Sequence, residues 1–383
     1  MKKNEELVFT GVMNKIRMQV EELSNWFEIE FKVIYASEKW TCFQHKVLNR
    51  LSIFHSLERE YDSAIEEIQT PDFIYIRKVE ADNSFLRFIK TLRERFPSAK
   101  IIIEIPTYPY EKDAYNKFYL KINLLKDKIY RNKYKDYIDR FVTFTDDDEI
   151  FGVPTIKTMN GIDVMAQKII GEKHEKYEKS LTLIFVGMMQ RQHGLERVIK
   201  GLKDYYYKSP DLKVFCLFVG NGPEYSKYKD LASKFCVDKY IRFFGTCTGE
   251  KLDEIYDCAD VAIAPLGCYK TLACGTRSSA LKTREYLSRG LPIITGCVED
   301  VIEKFPCDFH IGFENNDSAI RIEEICDWYQ SLMEKYESRE KLALLIRDYA
   351  YKHVDNSSTM KPIVEYICFK NDGIACLNSF NIH

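Results

Sequence analysis

Short apolar runs rich in Val, Ile and Phe recur along this chain, bounded by turn residues and separated by longer amphipathic stretches. Runs that are apolar at consecutive positions predict strands buried on both faces of a parallel sheet, with helices in the gaps. The rhythm occurs twice. In the first half it predicts strands at 31–35, 72–76, 101–105, 141–145 and 155–159, with a sixth near 7–10. In the second half it predicts strands at 181–186, 213–219, 241–244, 261–266, 291–294 and 309–313. After Asn315 the pattern turns helical to His353, one more helix follows at 357–369, and a polar tail closes the sequence. Between the halves stand the turn residues Asn160-Gly161-Ile162-Asp163 and a charged run without a hydrophobic stripe, which place a linker at about 163–180.

The predicted fold class is therefore α/β, with two doubly wound, Rossmann-like parallel sheets facing a cleft. The expected domains are residues 1–165, residues 166–350, and a helix and tail at 351–383 that pack back towards the first domain. Sheets of this kind place ligands outside the carboxyl ends of their strands. The length of 383 residues, 45% hydrophobic, agrees with two cores rather than one.

Charge changes this picture little. With 56 basic and 58 acidic residues the formal net charge is −2, which gives no electrostatic reason to expect a nucleic-acid partner. No run of about 18 apolar residues occurs, and the start of the chain, Met1-Lys2-Lys3-Asn4-Glu5-Glu6, is polar, so a cytoplasmic location is expected. Eleven of the twelve cysteines lie beyond residue 200, many within apolar runs, and none form a C-x-x-C pair; reduced buried thiols are the expectation. The seven histidines are scattered, so no metal site is expected.

The stretch from Ser278 to Ile294 carries the most chemistry. A helix beginning near Ser278 or Ser279, either of which can cap it, offers N–H groups and a positive dipole end to phosphate. Lys282 stands in its first turn. Glu285, three residues on, shares that face and can accept hydrogen bonds from ribose hydroxyls. The plainer reading is an ion pair on a solvated helix, and context decides between them. This helix follows strand 261–266 and so begins at a strand's carboxyl end. Three glycine-bearing loops leave strand ends on the same side: 187–194, Gly220-Asn221-Gly222-Pro223, and Gly245-Thr246-Cys247-Thr248-Gly249. Glycine there permits close approach of backbone to a ligand, although any tight turn also favours it.

Further motifs join these in order along the chain. They are Gly11-Val12 with Lys15-Ile16; Glu104-Ile105-Pro106-Thr107-Tyr108-Pro109-Tyr110; Phe151-Gly152-Val153-Pro154; Phe185-Val186-Gly187 with His193-Gly194-Leu195-Glu196-Arg197; and Leu281-Lys282-Thr283-Arg284-Glu285-Tyr286-Leu287 with Gly290-Leu291-Pro292. With them the chain resembles family 4 glycosyltransferases of the GT-B fold, more narrowly the bacterial members that build capsular or other surface polysaccharides. The resemblance implies a nucleoside diphosphate sugar donor, UDP- or GDP-linked, held mainly by the second domain, and a saccharide or polyprenyl-linked acceptor held mainly by the first. It implies retention at the anomeric carbon with no bound metal and no further cofactor.

Carried over residue by residue, the resemblance assigns Glu285 to the nucleotide ribose and Lys282 to the phosphates, with Gly187, Asn221, Gly222 and Gly245 in the loops around them. Many relatives have an arginine after the glycine matching Gly187 and a lysine before the one matching Gly194; here Met188 and His193 stand there. Arg191 is expected to supply the missing charge, and His193 to donate a hydrogen bond. A family glutamate eight residues before Glu285 is replaced by Arg277, and backbone near Gly275 is the expected substitute. Glu104 is the candidate for polar work on the acceptor side, with capping of a neighbouring turn as its alternative. The candidate catalytic residues are thus Glu104, His193 and Lys282.

Two other features have competing readings. The run Asp146-Asp147-Asp148-Glu149 is expected to be a solvated turn rather than a metal site. Segment 112–140 carries nine Lys or Arg against four Asp or Glu, interleaved with aromatics. It is either a solvated helix with an aromatic core face or a peripheral contact with the inner face of a membrane. Two alternatives to transfer share the architecture: a sugar-nucleotide epimerase, and a nucleotide-binding subunit without turnover.

Overall fold

The computed structural model of the chain describes residues 11–34, 47–48, 52, 56, 59–78, 82–111, 118–173, 180–270 and 277–369. Two units form: residues 1–159 with 359–383, and residues 160–358.

The first unit runs α1 (Gly11–Ser24), α2 (Tyr61–Glu66), β1 (Phe73–Arg77), α3 (Asn83–Arg95), β2 (Lys100–Glu104), α4 (Phe118–Tyr130), a 3-10 turn (Arg131–Asp136), β3 (Arg140–Thr143), β4 (Glu149–Ile150) and β5 (Val153–Lys157). Its sheet has the order β1-β2-β3-β5-β4, parallel except for β4. Consecutive isoleucines in β2 explain the two-sided burial, because neighbouring side chains in a strand point to opposite faces. Ile101 and Ile103 pack with Phe85, Ile89 and Leu92 of α3, whereas Ile102 packs with Leu23 of α1. Asp82 caps α3 by accepting from the Phe85 N–H at 2.9 Å.

The second unit runs β6 (Ser180–Val186), α5 (Leu195–Tyr207), β7 (Lys213–Val219), α6 (Tyr225–Lys234), β8 (Ile241–Gly245), α7 (Glu250–Asp257), β9 (Val261–Ile263), β10 (Arg277–Ser278), α8 (Leu281–Ser288), β11 (Ile293–Thr295), β12 (Val298–Glu299), α9 (Asp300–Lys304), β13 (His310–Gly312), α10 (Ile322–Tyr336) and α11 (Arg339–Val354). Six strands form one parallel sheet in the order β13-β11-β9-β6-β7-β8. Leu181, Leu183 and Phe185 of β6 lie in its core with Val198 and Leu202 of α5. The last helix, α12 (Asn356–Cys368), returns to the first unit, where Met360, Ile363 and Val364 join Leu23, Ile102, Val142 and Ile156.

Three sequence expectations change here. Residues 31–34 of the predicted strand 31–35 carry no ladder, and Phe31 is 51% exposed. The segment Glu28-Ile29-Glu30-Phe31-Lys32 alternates charge with apolar residues, which suits a half-solvated extended chain better than a buried strand. Strand β5 begins at Val153, two residues early, because Phe151 and Gly152 both take positive φ and fold β4 back onto it. The region expected as linker is bound to the second unit: the Val164 N–H donates to Asp355 Oδ2 at 3.1 Å and the Ile170 N–H to the Arg289 carbonyl at 2.9 Å. The expected strand at 7–10 lies outside the described residues, as do Gly275 and residues 174–179.

Candidate functional site

In the second sheet the chain starts at β6, adds β7 and β8 on one side, then crosses to β9, β11 and β13 on the other. The carboxyl ends of β6 and β9 are therefore a topological switch point, where the connecting loops part and leave a crevice.

Backbone bonds join the loops at this end. The Gly187 N–H donates to the Val219 carbonyl at 2.9 Å, the Met189 N–H to the Asn221 carbonyl at 2.8 Å, and the Gly220 N–H to the Gly245 carbonyl at 2.6 Å. The Asn221 side chain accepts from the Gly222 N–H at 2.8 Å. Two of the glycines are sterically required. Gly187 has φ +141°, and a Cβ there would stand 3.2 Å from Lys282 Nζ; Gly222 has φ +155°, and its Cβ would stand 2.5 Å from the Met189 carbonyl oxygen.

Helix α8 brings Lys282 to this floor. Its Nζ lies 2.7 Å from His193 Nε2 and 4.3 Å from the centroid of the Phe185 ring. On the other side of the ring the Gln190 N–H donates to His193 Nδ1 at 3.2 Å, and the imidazole is neutral. Burial, and then the Lys282 charge, push the His193 pKa down to about 3, against a backbone hydrogen bond to Met188 that works the other way. Met188 stands alongside, 60% exposed.

One turn on, Glu285 has one oxygen engaged and one open. Oε1 accepts from the Tyr256 hydroxyl at 2.9 Å and lies 3.5 Å from Arg289 Nε. Oε2 accepts nothing from the described residues, and the side chain is 27% exposed. The expected serine caps of α8 are absent. Its N-cap is Ala280, with no side-chain bond, because the Ser279 hydroxyl accepts instead from Asn160 Nδ2 and Arg284 Nη2, each at 3.2 Å.

Arg191 is exposed in the 3-10 turn before α5. Its charge acts on Lys270, whose pKa burial and Arg191 push down to about 8 while Asp317 opposes them. Lys270 pairs with Glu196 at the start of α5.

In the first unit Glu104 is fully buried at the end of β2. It accepts from Gln19 Nε2 at 2.7 Å, the Tyr75 hydroxyl at 2.7 Å, Lys15 Nζ at 3.4 Å and Arg77 Nη1. Burial opposes its charge, but Lys15, Arg77, Gln19 and Tyr75 together outweigh burial and hold the carboxyl below its ordinary value. The residue ties α1 to β1 and β2, a larger architectural duty than the turn cap weighed from sequence. Asp147 and Asp148 of the acidic run are engaged locally, by Thr145 Oγ1 at 2.5 Å and Lys157 Nζ at 2.6 Å. In α4 and the turn after it, Arg131 is committed inward to Glu111 at 2.6 Å and Asp127 at 3.4 Å, while Lys121, Leu125, Lys128 and Ile129 are exposed.

Sequence reasoning gave no role to Tyr256, Phe185, Arg284 or Tyr286. Arg284 and Tyr286 flank Glu285, so their position in the motif was a usable signal. Phe185 likewise stands in the motif that opens the Gly187 loop, whereas Tyr256 reaches the site only through tertiary packing, which no local pattern announces.

This geometry defines an α/β switch-point site with a cation, a half-open carboxylate and glycine-lined loops. Residues 166–344 match the family described as glycosyl transferases group 1. A stretch of 153 residues is 26% identical to D-inositol 3-phosphate glycosyltransferase of Corynebacterium kroppenstedtii, covering 38% of this chain and 32% of that protein. Another, of 170 residues, is 25% identical to sulfoquinovosyl transferase SQD2 of Arabidopsis thaliana, covering 44% and 30%. The matches thus span about a third of each relative's length. Among solved structures, Anabaena Alr3699/HepE in complex with UDP superposes with TM-score 0.56 at 11% identity, over 80% of each chain. A glycosyltransferase from Rickettsia africae ESF-5 gives 0.53 at 14% identity, over 91% of this chain and 86% of that one. The fold is GT-B, and residues 166–344 resemble group 1 glycosyltransferases.

Proposed function

We propose that the chain is a glycosyltransferase that moves a sugar from a nucleoside diphosphate sugar to a saccharide or lipid-linked acceptor in surface polysaccharide synthesis. The observation that carries this reading is the placement, on one face of α8 at the switch point, of Lys282 beside Gly187 and of Glu285 with one open oxygen. A ribose hydroxyl donates to that oxygen, and the ammonium faces the diphosphate, three residues away on the same helix face. Departure of the diphosphate builds negative charge, and a fixed ammonium in a partly dry site stabilises it as it forms. In this reading His193 orients Lys282, Arg191 adds charge from the loop rim, and Asn221, Gly222 and Gly245 shape the floor. The group 1 family match and the UDP held by the Anabaena relative support a UDP-type donor.

Transfer proceeds with retention and without a bound metal. A cytoplasmic location accords with there being no helix, among the described residues, long and apolar enough to cross a membrane. Peripheral contact with anionic lipid, supported by the exposed Lys121, Leu125, Lys128 and Ile129 of α4, completes the reading. The test measures nucleoside diphosphate release and sugar isomerisation over a panel of UDP- and GDP-sugars, with EDTA present, with and without polyprenyl-linked and saccharide acceptors. Acceptor-dependent release with an α-linked product from an α-linked donor is expected. Isomerisation alone points instead to an epimerase, and binding without either reaction to a non-catalytic subunit.

A further inference from the structure

Two residues that flank Glu285 on α8, Arg284 and Tyr286, are completely buried. On a helix of 3.6 residues per turn, the neighbours of a residue project about 100° to either side of it. Arg284 and Tyr286 therefore lie on the two flanks of the direction in which Glu285 points, and Lys282, three residues back, shares that direction.

Each flank is bound to a different part of the second unit. A guanidinium has five N–H donors in a rigid fork, and all five of Arg284 have acceptors. Nε donates to the Asn160 carbonyl at 3.1 Å; Nη1 to the Ala280 carbonyl at 3.5 Å and Glu299 Oε2 at 3.3 Å; Nη2 to Ser279 Oγ at 3.2 Å and Asp300 Oδ1. This fork fastens the start of α8 to the start of α9 and to Asn160. On the other flank, the Tyr286 hydroxyl accepts from the Val186 N–H at 2.9 Å and donates to the Val186 carbonyl at 3.3 Å. The last β6–β9 pair is Ile184 with Ala262, so Val186 lies beyond that ladder and Tyr286 supplies its bonds there. Val186 directly precedes Gly187, the residue against which Lys282 Nζ rests.

We infer that Arg284 and Tyr286 are positioning residues for nucleotide binding: together they fix the rotation of α8 about its own axis and so aim Lys282 and the open oxygen of Glu285 at one ligand. This rests on the nucleotide-site reading above. Neither residue contacts the ligand, and their effect passes entirely through Lys282 and Glu285. A helix held at only one flank turns by a fraction of its circumference, and a hydrogen bond with a fixed ribose is lost over such a displacement.

The test is calorimetric titration of UDP and GDP into the full chain and its Tyr286→Phe, Arg284→Lys and Glu285→Ala variants, each well below its own melting temperature. Tyr286→Phe keeps the ring and removes only the two bonds to Val186; it is expected to bind the nucleotide about 5-fold more weakly. Arg284→Lys keeps the charge but loses the fork, and a loss of at least about 10-fold is expected. A merely structural role lowers the melting temperature and leaves the dissociation constant of the folded chain unchanged; that result for Tyr286→Phe and Arg284→Lys, with binding still lost in Glu285→Ala, overturns the positioning role alone. If Arg284→Lys does not fold, Tyr286→Phe decides by itself. A wild-type chain that binds neither nucleotide removes the site reading and this inference with it.

Discussion

Glu104 and Glu285 both stand in parallel-sheet units near carboxyl ends of strands, one in each unit, and their surroundings differ in one respect. Four side chains donate to Glu104, which is fully buried; Glu285 keeps one oxygen engaged and one open at a partly exposed position. A carboxylate whose lone pairs are all taken is part of the architecture, since any new partner would have to displace a charged donor in a dry environment. A carboxylate held by one oxygen is oriented without being used up. That contrast identifies the second unit as the place to look for ligand chemistry, and it is open to direct attack.

The largest effect is expected at Glu104. Glu104→Ala strands Lys15 and Arg77 near a buried site and should destabilise the chain by about 3–5 kcal/mol in urea unfolding. The sign of its pH dependence follows from its lowered pKa. Its contribution is present in full above the ordinary value of 4.5 and is lost as pH falls through the lower folded value. An unchanged unfolding midpoint in Glu104→Ala would mean that the donor set is not holding the first unit together.

Next comes a buried carboxylate of the second unit with the opposite sign. Burial, and then the neighbouring Asp300, push the Glu299 pKa up to about 7 from 4.5, although Arg284, Ser278 and Thr283 oppose them. The folded state then holds a proton that the unfolded state has released, so stability falls as pH rises from 4.5 to about 7. Glu299→Gln should flatten that slope, a difference of about 3 kcal/mol by pH 8. A slope identical to wild type in unfolding curves from pH 4.5 to 8 would count against this assignment.

Glu285→Ala should do the reverse of Glu104→Ala. Stability is expected to stay within about 1 kcal/mol of wild type, while UDP binding weakens by about 1.5–3 kcal/mol, as for a hydrogen bond to a charged group. A large loss of stability with intact binding would make Glu285 another Glu104. The smallest effect is expected from Met188→Arg. An exposed guanidinium beside Lys282 should tighten UDP binding by about 0.5 kcal/mol at low salt and by less at high salt.

Much of the second unit was legible in the sequence because its strands are buried on both faces and read as unbroken apolar runs. The run 213–219 matches β7 residue for residue, and 181–186 matches β6 but for its first position. The first unit was harder. The segment around Phe31 alternates charge and apolar residues, and its strand-like composition does not reveal whether a neighbouring strand pairs with it. The site divides in the same way. Lys282, Glu285 and the glycines could be proposed from spacing, because the i,i+3 relation and the strand-to-helix turn are local. The neutral state of His193, the saturation of Glu104 and the Tyr256 bond to Glu285 arise from residues distant in sequence. They are consequences of packing and became visible only in three dimensions.

The central claim is that the ammonium of Lys282 and the carboxylate of Glu285 hold two parts of one nucleotide. Titrating UDP and uridine into wild type, Lys282→Ala and Glu285→Ala separates those parts. Lys282→Ala should weaken UDP at least about 10-fold and leave uridine unchanged, whereas Glu285→Ala should weaken both. If Lys282→Ala binds UDP as tightly as wild type, the ammonium does not face the diphosphate and the account is contradicted.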